Sequence, residues 1–246
     1  MPYDASFLQE FLRYLTSFFA THRDVAIFYF PLGVLGAWRW STWLAKECLA
    51  LFYHPKKPGF HAAVSIITPV YNEKPALLLK ALGSWKRNDP AEIIAVIDHT
   101  DKACIQVFKK FQKNFPATSL IITKIPGKRP ALAAGILAAK SPIVALVDSD
   151  TVWKKNVLFH ALAPFKDPKV AGVGTRQNVL KPTSLAEKIF DMGLDLRYAD
   201  EHSYLAAVGS TLTCISGRTA FYRRQALFTA AKLCSLSLMP WLTKNS

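Results

Sequence analysis

Several familiar signatures are missing from this chain, and each absence removes a class of protein. Its four cysteines, Cys48, Cys104, Cys214 and Cys234, lie far apart, with no CxxC or metal-ligand spacing. That excludes a zinc module and a disulfide scaffold, and fits reduced, cytosol-facing thiols. No Walker A loop and no G-x-G-x-x-G occurs. No internal repeat or low-complexity tract is present, so a solenoid or a disordered polymer is excluded. Acid is scarce: 17 Asp and Glu stand against 31 Lys and Arg, a net charge of +14. No Asp or Glu comes after Glu201. A balance this basic suits nucleic acid, anionic lipid headgroups or phosphorylated substrates. The basic residues are spread over helices and loops without an RNA or DNA motif, which argues against nucleic acid.

A long uninterrupted apolar run is also lacking. Val25 to Trp38, VAIFYFPLGVLGAW, holds fourteen uncharged residues, fewer than the roughly 20 needed to cross a bilayer. The next turns, through Arg39 to Tyr53, supply the length if Arg39 snorkels and Trp38, Trp40 and Trp43 lie at an interface. The expectation is a membrane-spanning helix near 24–45, with an interfacial helix or a buried soluble helix as alternatives. No small-residue cleavage site comes after it, so this is not a signal peptide. The earlier FLQEFLRYLTSFF is amphipathic and suits a membrane surface. YHPKKPG, with two prolines, a glycine and two lysines, is a linker, and its positive charge places the domain beyond it on the cytoplasmic side. The expected divisions are 1–58, a membrane-associated segment with linker; 59–230, a catalytic-type domain; and 231–246, an atypical tail.

What is present, from residue 62, is alternation. Short apolar runs AAVSIITPVY, EIIAVID, SLIITKI and PIVALVD read as strands. Between them KPALLLKALGSWKR, TDKACIQVFKKFQKNF and PALAAGILAAK read as helices. This implies an α/β fold with a mostly parallel sheet, helices on both faces, and ligands beyond the carboxyl ends of the strands. The polar residues gather at those ends. Asp148 and Asp150 flank Ser149 directly after the fourth strand. Carboxylates so close raise one another's pKa unless a cation or hydrogen-bond donors compensate. A hard divalent cation such as Mg²⁺ or Mn²⁺ does this and in turn binds a diphosphate; a turn or helix cap is the plainer alternative. After the first strand, Tyr71 offers a flat surface for a base, and Asn72 and Glu73 offer hydrogen-bonding groups, or Asn72 caps a helix. After the second, Asp98 or Asp101 could accept from a uracil N–H or a ribose hydroxyl, or cap. Gly127, Lys128 and Arg129 at the start of a small-residue helix suit a phosphate.

In this order, SIITPVYNE, IDHTD, GKRPALAAGI and VALVDSDT, extended by AGVGTRQNVL and ISGRTAFYRRQAL, resemble the family-2 inverting glycosyltransferases. The likeness covers about 62–228 and is nearest the processive membrane branch of hyaluronan, chitin and cellulose synthases. It implies a GT-A fold, a UDP-sugar donor and Mg²⁺ or Mn²⁺. By this resemblance Tyr71 and Asp98 hold the uridine, with Asp101 as the alternative acid. Lys128 faces the donor phosphates, Asp148 contacts nucleotide or sugar, and Asp150 ligates the metal. Gly174, Thr175, Arg176, Gln177, Ser216, Gly217 and Arg218 lie near the acceptor; the plain alternative for GVGTRQ is a strand and then a loop. Ser184 and Glu187 form a capping-box pattern, and Glu187, Asp191 and Asp195 share one helix face.

The pattern then breaks. An inverting transfer needs a general base, which the family supplies from a TED- or GDD-like motif farther on. Neither that motif nor QxxRW is present. The expectation is a C-terminally truncated chain that keeps the donor side; the alternative is a base elsewhere, Asp195, Asp200 or His202. Two functions are compatible with this. One is a membrane-bound glycosyltransferase extending a glycan or polysaccharide, with activity impaired. The other is a non-catalytic nucleotide-sugar-binding or regulatory partner of a complete synthase.

Overall fold

A computed structural model describes residues 5–209 and 215–233, excluding the side chains of 5–8, 25–30 and 230–233. Of the expected tail, 231–246, residues 234–246 with Cys234 lie outside the described residues, as does Cys214.

Two helices come first: α1, Ala5–Thr21, and α2, Arg23–Ala50. Next are β1 (Val64–Val70), α3 (Pro75–Lys86), β2 (Glu92–Asp98), α4 (Lys102–Asn114), β3 (Thr118–Thr123), α5 (Lys128–Ala138) and β4 (Ile143–Val147). After these come α6 (Val157–Leu162), β5 (Gly172–Gly174), α7 (Leu185–Arg197), α8 (Ser203–Ala207), β6 (Thr219–Arg223) and α9 (Arg224–Leu233). One π-helical turn, Tyr198–His202, joins α7 to α8.

The chain separates into two compact units. The smaller contains α1, α2, the π turn and α8. Within it Lys46 Nζ lies 5.2 Å from the centre of the Tyr204 ring. The expected bilayer-crossing helix near 24–45 is not supported. Among the described residues no helix is long and apolar enough to cross a membrane. At 28 residues α2 has the length but not the composition: Arg23, Asp24, Arg39, Lys46 and Glu47 punctuate it, and each charge near a bilayer centre is costly.

The larger unit is built on one six-stranded sheet of order β3-β2-β1-β4-β6-β5. β1, β2, β3 and β4 pair in parallel, while β6 runs antiparallel to β4 and to β5. β1, β2 and β4 are rich in Ile and Val on both faces because both faces are covered: Ile66, Ile67, Ile93, Ile94 and Ile97 have no exposed surface. Each such burial contributes about 1.5–3 kcal/mol. On one face the sheet packs with Leu78, Trp85, Phe108, Leu158 and Phe165 of the intervening helices. On the other it packs with Ala131, Ile136 and Ala139. The small residues of α5 let that helix come close: a Cβ on Gly135 would meet Ile67 Cγ2 at 2.2 Å. The chain leaves β1 for β2 on one side and returns for β4 on the other. The crevice beyond the carboxyl ends of β1 and β4 is therefore the topological switch point of the sheet, where open α/β folds bind ligands.

Candidate functional site

β1 ends at Val70, and Tyr71 comes next, 75% exposed. Asn72 does not cap α3. It takes a left-handed φ of 51°, which Asn tolerates better than most residues. Lys74 stands at the N-cap position and Pro75 opens the helix. The turn aims Glu73 across the crevice, where its Oε2 accepts a 3.0 Å hydrogen bond from the Ser149 hydroxyl. Behind it, the Glu73 N–H donates to Asp101 Oδ2 at 3.3 Å, and the Cys104 thiol donates to the Glu73 carbonyl at 3.3 Å. Burial, together with the neighbouring Asp101, pushes the Cys104 thiol up to about 12, so it is a structural rather than a reactive cysteine.

Asp98 is the last residue of β2. Its Oδ1 accepts from the Thr100 hydroxyl and, at 2.9 Å, from the Thr100 N–H. These two bonds, reinforced by His99, hold its carboxyl below the usual carboxylate range against the opposing effect of burial. Asp101 is the N-cap of α4, accepting from the Cys104 N–H at 3.1 Å, so capping describes this acid.

The Asp148–Thr151 turn is fixed from both sides. The Asp148 N–H donates to the Arg218 carbonyl at 3.1 Å, and its own carbonyl accepts from the Thr151 N–H at 3.1 Å. The Trp85 indole N–H donates to the Thr151 carbonyl at 2.9 Å. The Trp153 N–H donates to the Ser84 hydroxyl at 2.9 Å, and its indole donates to the Thr219 hydroxyl at 3.1 Å. The turn thus presents Asp148 and Asp150 differently. Asp148 Oδ1 is bound by the Lys128 ammonium, while Asp150 is exposed. Lys128 opens α5 directly after Gly127, whose φ of 110° favours glycine. Gly217 borders the same ammonium, since a Cβ there would stand 3.7 Å from Lys128 Nζ.

Among the described residues no group of three or more His, Cys, Asp or Glu side chains could hold a metal alone. The donor set still fits a substrate-borne Mg²⁺ or Mn²⁺. Such ions keep several waters and take one or two carboxylates plus phosphate oxygens. Asp150 offers hard oxygens, and its Oδ1 accepts only a long bond, 3.5 Å, from the Thr151 hydroxyl. Asp148 is compensated by Lys128 rather than by a second cation.

Beside Asp150 opens a cavity of about 850 Å³, bounded among others by Trp153, Arg176, Gln177, Leu180, Phe190 and Arg218. GVGTRQ is a short strand, β5, and then a loop. That loop is fastened by the acidic face of α7. Arg176 Nη2 donates to Asp195 Oδ1 at 2.7 Å and Asn178 Nδ2 donates to the same oxygen at 2.9 Å. The Val179 N–H donates to Asp191 Oδ1 at 2.6 Å. Glu187 Oε2 accepts from the N–H groups of Thr183 and Ser184 at 2.7 and 3.0 Å, and its own N–H donates to Ser184 Oγ at 3.2 Å. This is the capping box that the sequence announces, and it draws the Glu187 carboxyl down to about 2. The Arg176 bond, then the Asn178 bond, likewise hold Asp195 below the usual range, which opposes its use as a base. Asp200 and His202 belong to the other unit; there Asp200 raises the carboxyl of Glu47, after burial. Sequence reasoning missed β6, five residues with no alternation to betray them, and the two tryptophans that pin the Asp148 turn.

Known proteins share this architecture. The chain is 28% identical over 180 residues to a type 2 glycosyltransferase of Gibberella zeae, covering 70% of this chain and 34% of the relative. It is 30% identical over 176 residues to an N-acetylglucosaminyltransferase of Neorhizobium galegae, covering 69% of this chain and 40% of the relative. It therefore spans between a third and two fifths of the length of these two relatives. In three dimensions it resembles a mannosyltransferase from Pyrobaculum calidifontis solved in complex with GDP-Man and Mn²⁺. The TM-score is 0.59 and the identity 23%, over 84% of this chain and 56% of the other, which shows a shared GT-A-like fold. The model of the family "Glycosyltransferase like family 2" matches residues 61–236, and with it every strand of the sheet just described, so this chain belongs to glycosyltransferase family 2.

Proposed function

We propose that the crevice beyond β1 and β4 binds a UDP-sugar, with Mg²⁺ or Mn²⁺ held between its diphosphate and Asp150, for transfer of the sugar to a glycan hydroxyl. The observation that carries this reading is the junction at the switch point. There Ser149 ties the Asp148–Asp150 turn to Glu73, and Lys128 stands against Asp148. The exposed ring of Tyr71 suits stacking on uracil, and Asp98, held ionised by Thr100, suits an N–H or a ribose hydroxyl. Lys128 turns to the donor phosphates, with Asp148 beside the nucleotide or sugar. The bound metal would supply charge neutralisation of the leaving diphosphate. On the acceptor side stand Arg176, Gln177, Gly217 and Arg218.

Transfer by this chain is impaired in our reading. Asp195, the candidate base that lies in this unit, is committed to Arg176. That same commitment favours the second reading, a nucleotide-sugar-binding partner of a complete, synthase-type enzyme. Calorimetry with UDP and Mg²⁺ or Mn²⁺, run beside a UDP-sugar turnover assay on the 246-residue chain, separates the two. Binding with feeble turnover supports impairment, binding with none supports the partner role, and absent UDP binding removes both.

We further place the chain at the cytoplasmic surface of a membrane, held by its first two helices rather than by a span. Exposed Phe11, Leu12, Phe18, Trp38, Trp40 and Trp43 together with the net charge of +14 favour an anionic lipid surface. Co-sedimentation with phosphatidylserine vesicles, weakening as salt rises, is the expected result.

A further inference from the structure

The cavity beside Asp150 has a lopsided character. Its wall includes Val152, Val157, Val179, Leu180, Ala186 and Phe190. Most of the polar side chains that border it are already engaged within the protein. Arg176 and Asn178 share Asp195, Glu187 closes its capping box, and the Thr219 hydroxyl receives the Trp153 indole. The Arg218 guanidinium lies 5.6 Å from the centre of the Phe190 ring. A site for an unadorned sugar chain needs many outward-facing donors and acceptors, because every sugar hydroxyl removed from water must be paired again.

One polar group in this wall is left over. Gln177 is only 9% exposed, and its Oε1 accepts from the Ser216 hydroxyl at 2.8 Å. Its Nε2 is buried without a partner. A buried amide donor left unpaired is destabilising, and it is the kind of cost that a bound ligand removes. Ser216 fixes one end of the amide, and the residue borders the cavity.

We infer that the acceptor is an amphipathic glycoside, whose apolar aglycone lies on the Val179–Leu180–Phe190 wall and one of whose oxygens is anchored by the Gln177 amide. This rests on the glycosyltransferase reading above and narrows its substrate class. The Gln177 amide sets specificity by binding; it takes no part in the transfer itself.

The test uses the full chain and two probes with the same sugar head, octyl β-glucoside below its micelle concentration and methyl β-glucoside. The octyl compound is expected to bind at least about tenfold more tightly, from the apolar area it buries. Gln177→Met is expected to weaken octyl glucoside binding about tenfold, the loss of one hydrogen bond, without lowering the melting temperature. Phe190→Ala, at an exposed position that does not endanger folding, is expected to weaken it as well. Equal affinity for the two probes overturns the inference. So does octyl binding that both variants leave unchanged, since that would be adsorption elsewhere on the chain. UDP binding is measured separately on the same protein: its absence defeats the donor reading, and its presence without an octyl preference defeats this inference alone.

Discussion

At the scale of single residues, two carboxylates with one residue between them have been given different work. Asp148 faces an internal ammonium and Asp150 faces outward. Asp150→Asn should therefore cut the metal-dependent part of UDP affinity by at least about tenfold and leave the metal-free part nearly unchanged, as titrations with and without EDTA would read. Lys128→Met leaves Asp148 without its counter-ion beside a diphosphate and should weaken UDP binding with or without metal. The contact itself is half-exposed, so its loss should alter stability little. Glu187 gives a pH signature. Its carboxyl is depressed to about 2 by the Ser184 and Thr183 bonds, so the protonated form is disfavoured in the folded chain. Its stabilising contribution is complete above about 4.5, the ordinary value, and fades as pH falls through the folded value near 2. The difference in melting temperature between the native chain and Glu187→Gln should be constant near neutrality and shrink between those limits. A difference that stays flat down to about pH 2 would contradict the capping role.

At the scale of elements, the site depends on how closely α5 lies on the sheet. Lys128 is the first residue of that helix, and Gly135 lets the helix approach Ile67. Gly135→Ala would force a Cβ to within 2.2 Å of Ile67 Cγ2. It should cost roughly 1–3 kcal/mol by overpacking, read in urea unfolding, and it should also displace Lys128 enough to weaken UDP binding. α7 shows a second device. Three acids at successive turns are spent on the loop before the helix: Asp195 on Arg176 and Asn178, Asp191 on Val179, Glu187 on Thr183 and Ser184. From spacing alone this face reads as acidic, either solvated or meeting a basic surface. Its partners lie up to 19 residues back, and spacing along a helix carries no information about what loops over it.

At the scale of the whole molecule, a doubly covered sheet sets the crevice at its switch point, and the antiparallel strands β6 and β5 stand at its end. The switch point between β1 and β4 brings residues 71–73 and 148–150 together, although the sequence keeps them far apart. β6, inserted antiparallel beside β4, brings Gly217 and Arg218 to the same edge. The membrane-span expectation fails at this scale because hydropathy is a property of a whole helix. α2 is long but carries charges at both ends and at Arg39.

The α/β class, the first four strands, the helices between them and the Ser184–Glu187 cap were determined by sequence, because each rests on local apolar periodicity or on a short-range hydrogen bond. The clustering of polar residues at strand ends was legible for the same reason: a buried strand must end where charge begins. Only tertiary structure decided which of those polar residues stand open at the crevice and which face each other. The pairing of Asp148 with Lys128, the reach of Glu73 to Ser149, the engagement of Asp195 and the unpaired amide of Gln177 all depend on contacts between distant segments. The strand order that makes those contacts is chosen by packing over the entire sheet, and no single stretch of the chain contains it.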